Sequence, residues 1–112
     1  MNVSSGAHPD GTNEFELAGL ELGLPVAGRS PFVAESPAAF ECRTVSVDAL
    51  VDMNKMRLDR YPVIGRVVRT HIGKDYIRNG QFDTEAGQPI ARLGYRDYST
   101  VERLWELVRP DD

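Results

Sequence analysis

Few residues of this sequence combine reactive chemistry with a suggestive setting. His71 closes the apolar run Val63-Ile64-Gly65-Arg66-Val67-Val68-Arg69-Thr70-His71-Ile72. An imidazole titrates near neutrality, so a strand-end histidine can move a proton or orient a polar ligand, or simply take a local hydrogen-bond partner. The second candidate is Arg92-Leu93-Gly94-Tyr95-Arg96-Asp97-Tyr98. Its guanidinium can grip an anion bidentately or pair with one of the nearby acids. Gly94 allows close backbone approach. Tyr95 and Tyr98 offer planar faces with a hydroxyl, as stacking surfaces or as core or interface aromatics. His8 lies in a Pro/Gly loop and reads as solvated. Cys42, the one cysteine, reads as a small core residue on a strand.

That single thiol rules out an internal disulfide and fits a reducing, cytoplasmic setting. With two histidines it falls short of the usual four-ligand cysteine-based zinc set. The chain of 112 residues is 41% hydrophobic and 27% charged, the balance of one small globular domain. Net charge is −4 with scattered basic residues, a poor footprint for nucleic acid. No apolar run approaches the roughly 20 residues of a membrane helix. Residues 1–11 lack the basic start and apolar core of a signal peptide and read as a flexible loop.

The elements that must position these residues are mainly strands. Thr12 is placed to cap a short helix over residues 13–18, with Gly19 as its stop. Prolines 25, 31 and 37 keep residues 20–37 out of helix, with a short strand expected at Phe32-Val33. Residues 39–51 alternate as a strand, Phe40 and Cys42 inward, with a phase shift near Arg43-Thr44 that suggests a β-bulge. Residues 52–59 read as a connection. Val63 to Ile72 is apolar on both faces and so expected to be a central strand, and Gly65 invites close approach by a neighbour. Residues 74–77 read as a short strand, Asn79-Gly80 as a turn, and 83–89 as a polar loop. Ser99-Thr100-Val101-Glu102 is a capping-box pattern that favours a helical turn at 99–103, with strand and helix both open beyond it. Trp105 reads as a core anchor. Long strands joined by loops with little helix suggest a small β-barrel or part of one.

Three stretches in order resemble the flavin reductase-like, FMN-binding split-barrel family: residues 13–20, residues 34–42, and the run from Val63 through His71-Ile72 to residues 89–98. The resemblance covers nearly the whole chain and corresponds to the C-terminal half of that domain. It implies a mainly β fold, a partial split β-barrel with one or two short helices. It also implies FMN as cofactor, NADH or NADPH as reductant, hydride transfer to flavin, and a homodimer or a complementary chain as partner. On that basis His71 is the catalytic candidate and Arg92, Gly94, Tyr95 and Tyr98 the cofactor-binding ones, Arg92 toward a phosphate or the flavin N1–C2 edge. Asn2, Ser4 and Ser5 resemble a flavin-proximal segment. Two departures stand out. The N-terminal half, with several strands and much of the FMN phosphate contact, is missing, and Tyr61 followed by Pro62 stands where relatives often carry histidine. The alternative is a truncated, inactive fragment serving as a dimerisation or interaction module, since half a barrel leaves strand edges that a partner must cover.

Overall fold

The computed structural model describes residues 2–112. The chain divides into two units, Met1–His71 and Ile72–Asp112. Both are mainly β; among the described residues there are two short α-helices, and every sheet is two-stranded and open.

The first unit begins with a 3-10 turn at Val3–Ser5. Thr12 spends its hydroxyl on the Pro9 carbonyl at 2.7 Å. The cap of α1 (Glu14–Ala18) therefore falls one residue later than expected, on Asn13, whose Oδ1 accepts from the Phe15 N–H. Gly19 stops the helix in the left-handed region (φ 65°), and the Leu20 N–H reaches back to the Phe15 carbonyl. Strand β1 (Leu22–Gly23) pairs antiparallel with β2 (Phe32–Val33), Gly23 opposite Phe32. A Cβ at Gly23 would collide with the Phe32 ring, so the missing side chain is what lets that ring lie flat across the strand.

Strand β3 (Ala38–Val47) pairs with β4 (Val63–Ile72). The bonds Asp48 N–H to Pro62 and Leu50 N–H to Arg60 progress in opposite directions along the two segments, as in an antiparallel hairpin. Its tip is ordered by Asp52, whose Oδ1 accepts from the Asn54 and Met56 N–H groups, with Lys55 at φ 62°. The connection expected at 52–59 is thus a built turn. A Cβ at Gly65 would lie 3.2 Å from Cys42 Cβ, so the close approach anticipated there comes from the neighbouring strand.

Two expectations about side chains and one about strand order fail here. Phe40 is 64% exposed and Cys42 is exposed, while Glu41 between them is buried. Strand β4 has β3 as its neighbour on one edge and no strand on the other among the described residues, so it is not central in this chain.

In the second unit a 3-10 turn at Lys74–Tyr76 replaces the start of the expected strand and leads into β5 (Ile77–Arg78). Asn79 and Gly80, at φ 52° and 79°, turn it back onto β6 (Gln81–Phe82). Asp83 then caps α2 (Thr84–Gly87) within the expected loop, accepting from the Ala86 N–H and pairing with Arg78 at 2.6 Å. Strand β7 (Ile90–Arg92) pairs antiparallel with β8 (Tyr98–Thr100). The helical turn expected at 99–103 is absent: Ser99 and Thr100 sit in β8 opposite Ala91 and Ile90, and ladder bonds override the local capping signal. Trp105 is 79% exposed and anchors no core.

Among the described residues no hydrophobic side chain is buried. The chain exposes 10210 Å², against roughly 6,200 Å² for a folded monomer of this mass.

Candidate functional site

The best-organised polar centre lies in the first unit around Glu41, the one buried charged side chain among the described residues, 5% exposed. Strand alternation turns Glu41 inward onto the loop between β1 and β2. Its Oε1 accepts from the Val26 N–H at 2.7 Å. Oε2 accepts from the Ala27 N–H at 2.7 Å and the Gly28 N–H at 2.6 Å. Three successive backbone donors form an anion-binding concavity, and here the chain's own carboxylate fills it. A phosphate therefore has no place in that loop.

The fourth bond comes from His71, whose Nε2 lies 2.6 Å from Glu41 Oε1. The Glu41 carboxyl is lowered to about 2, chiefly by the Val26 N–H. Burial opposes that shift, while His71 and the Ala27 and Gly28 N–H groups add to it. A carboxylate only accepts hydrogen bonds, so Nε2 carries the hydrogen and donates it. The imidazole also stacks on Phe32, with ring centroids 4.4 Å apart and planes 27° from parallel. Its side chain is 24% exposed.

The other four candidates share the β7–β8 hairpin of the second unit. Arg92 pairs with Tyr98, and the turn between them closes through Leu93 N–H to Asp97 and Asp97 N–H to Gly94. Arg92 Nη2 donates to the Tyr95 carbonyl at 3.4 Å, a long bond within its own turn. Tyr95, at φ 56°, is 94% exposed, and Tyr98 is 51% exposed. A Cβ at Gly94 would meet nothing within 4 Å, so the turn has open space above it. An open cleft of about 360 Å³ beside the hairpin is lined by Ile90, Tyr98, Ser99, Thr100 and Glu102. The structure thus brings Arg92, Gly94, Tyr95 and Tyr98 together, and places His71 in the other unit with Glu41 and Phe32.

Sequence reasoning passed over Glu41. The available signal was a lone acid between Phe40 and Cys42 on the strand Ala38–Val47, thirteen to fifteen residues after a Pro/Gly loop. His8 Nε2 bonds the Val3 carbonyl at 2.8 Å. No group of His, Cys, Asp and Glu suited to a metal ion occurs among the described residues. No helix among them is long and apolar enough to cross a membrane.

No protein-family model matches the chain. It is 32% identical over 110 residues to an uncharacterised protein of Halalkalibacterium halodurans, covering 98% of this chain and 52% of that protein. It is 29% identical over 113 residues to an uncharacterised protein of Deinococcus radiodurans, covering 97% and 47%. Among solved structures it is similar to nitrilotriacetate monooxygenase component B from Bacillus cereus, with a TM-score of 0.84, 27% identity and coverage of 95% of this chain and 52% of that one. A protein from Shewanella frigidimarina assigned as a flavin reductase with split barrel domain gives a TM-score of 0.75 at 24% identity, covering 94% and 51%. The 2-nitrobenzoate 2-nitroreductase NbaA of Pseudomonas fluorescens gives 0.70 at 24%, covering 91% and 50%. The chain spans about half the length of the relatives it matches.

Proposed function

We propose that this chain, part of a split barrel of the flavin reductase kind, contributes to an FMN site at which NADH or NADPH reduces flavin. The observation that carries the reading is the likeness to the Bacillus cereus monooxygenase component, a TM-score of 0.84 over 95% of the chain. The exposed residues fit such a ligand in kind. Tyr95 and Tyr98 present aromatic faces, Gly94 leaves room above the turn, and Arg92 pairs with no acid among the described residues. Bound FMN would supply the redox chemistry, accepting a hydride from the nicotinamide.

The chain's own residues would bind and orient. Tyr98 and Tyr95 would stack on or edge against a planar ring. Arg92, released from its 3.4 Å bond to the Tyr95 carbonyl, would face the phosphate or the N1–C2 edge, where a guanidinium stabilises negative charge. His71, in the first unit, would by itself offer its remaining ring nitrogen, Nδ1, as an acceptor to a donor group of a flavin or a nicotinamide.

A second reading, an inactive split-barrel fragment that serves as an interaction module, is favoured by the absence of any buried hydrophobic side chain among the described residues and by the open edge of β4. In either reading a second copy or a complementary chain covers the exposed strands. Anaerobic mixing of the chain with FMN and NADH or NADPH separates them. Bleaching of the flavin absorbance supports reduction, and an unchanged spectrum with both nucleotides removes it. Arg92→Ala is expected to weaken FMN binding about tenfold, the loss of roughly 1.4 kcal/mol from one charge-assisted contact. Unchanged affinity takes Arg92 out of the site.

A further inference from the structure

We infer that Glu41 is the positioning residue for His71: it fixes which ring nitrogen carries hydrogen and how the ring lies, leaving Nδ1 as an acceptor for an amide-type N–H of a heteroaromatic ligand. The inference rests on the proposed flavin-reducing reading and deepens it.

Four constraints converge on one imidazole. Glu41 Oε1 takes the Nε2 hydrogen at 2.6 Å. The carboxylate cannot swing away, because its two oxygens also hold the Val26, Ala27 and Gly28 N–H groups at 2.6 to 2.7 Å. Phe32 covers one face of the ring. Phe32 is itself placed by Gly23, where any side chain would collide with it. Nδ1 makes no hydrogen bond among the described residues. A carboxylate behind a histidine is the recurrent device for fixing an imidazole's tautomer and orientation, and at metal-bound histidines removing such a support costs about 10- to 100-fold, the scale taken for Glu41.

Glu41 also ties the 26–28 loop to β3, so a test must separate the tie from the orientation. Glu41→Ala leaves a carboxylate-shaped gap facing three N–H donors and His71. Free formate has the right head group and no link to β3, so it can orient the imidazole without restoring the tie. The first readout needs no activity: the His71 Nε2–H proton in 15N-resolved NMR of the full chain. We expect a slowly exchanging Nε2–H signal in the wild type, its loss in Glu41→Ala, and its return with formate. The second readout is flavin reduction. Glu41→Ala is expected to lower kcat about 10- to 100-fold with KM little changed. Formate should recover part of that loss, and Glu41→Ala combined with His71→Ala should be no slower than His71→Ala alone.

A His71 hydrogen found on Nδ1, additive losses in the double variant, or a folded Glu41→Ala chain indifferent to formate would each overturn the inference. Should Glu41→Ala unfold, His71→Ala carries the kinetic test, since Glu41 keeps its three backbone bonds; an unchanged kcat then overturns it. A wild type that reduces no flavin defeats the functional reading instead, and the NMR signal still decides whether Glu41 orients His71.

Discussion

The Glu41 cluster and the β7–β8 hairpin carry the candidate residues of this chain, and they are built in opposite ways. Around Glu41 both carboxylate oxygens are committed: four bonds of 2.6 to 2.7 Å meet them, and the histidine that makes one is stacked on a ring. On the hairpin the backbone is fixed but the side chains are open, with Tyr95 and Tyr98 largely exposed and Arg92 holding one long bond. The first region is pre-organised, with its groups held before any ligand arrives. The second offers surface whose order has to come from a ligand or another chain. That contrast teaches where each kind of substitution should register. Changes near Glu41 should appear in stability, and changes on the hairpin mainly in binding.

The largest effect should come from acid. The Glu41 carboxyl is held at about 2 in the folded chain, against an ordinary value of 4.5. Its contribution is complete above the ordinary value and is lost as pH falls from about 4.5 through about 2, where the folded state also protonates. Denaturant midpoints should fall over that window, and in a folded Glu41→Gln chain the slope there should flatten. An equally steep slope in the variant would place the acid sensitivity elsewhere.

Next comes Gly23→Ala, which drives a methyl into the Phe32 ring. Overpacking of this kind costs about 1–3 kcal/mol. Denaturation should show the loss, and the His71 ring signals should move with the displaced Phe32. Stability and signals both unchanged would mean that Phe32 is not held as described.

Asp83→Ala removes the α2 cap and the partner of Arg78, for an expected loss of about 1–2 kcal/mol, measurable by the same denaturation. It separates the framework of the second unit from its hairpin, since FMN affinity should stay within about twofold, a change worth roughly 0.4 kcal/mol. Tyr95→Ala should change stability by less than about 0.5 kcal/mol, as expected of a surface side chain, while weakening FMN binding. A Tyr95 variant that destabilises the chain would erase the contrast between the two regions.

How much of this could be read from the sequence follows the range of each signal. The bounds of β4, the Gly19 stop, the β2 pair and the Asn79-Gly80 turn rest on short-range pattern and appear as expected. Gly65 announced a close approach, and Cys42 makes it. Glu41 was not legible because its partners lie 13 to 15 and 30 residues away, and an acid on an alternating strand resembles a solvent-facing one. Ser99-Thr100-Val101-Glu102 misled for the complementary reason: the local capping signal is outweighed by pairing with residues 90–91. Trp105 and Phe40 have the chemistry of core residues but lie on open surface. Among the described residues neither unit supplies a partner that buries them, and the chain spans about half of each relative.

On the proposed function, this part of a split barrel contributes to a flavin site. Titrating the purified chain into FMN and following flavin fluorescence tests it most directly. Saturable quenching is expected, weakened by Arg92→Ala and by Tyr95→Ala. FMN fluorescence that stays constant at every protein concentration would contradict it.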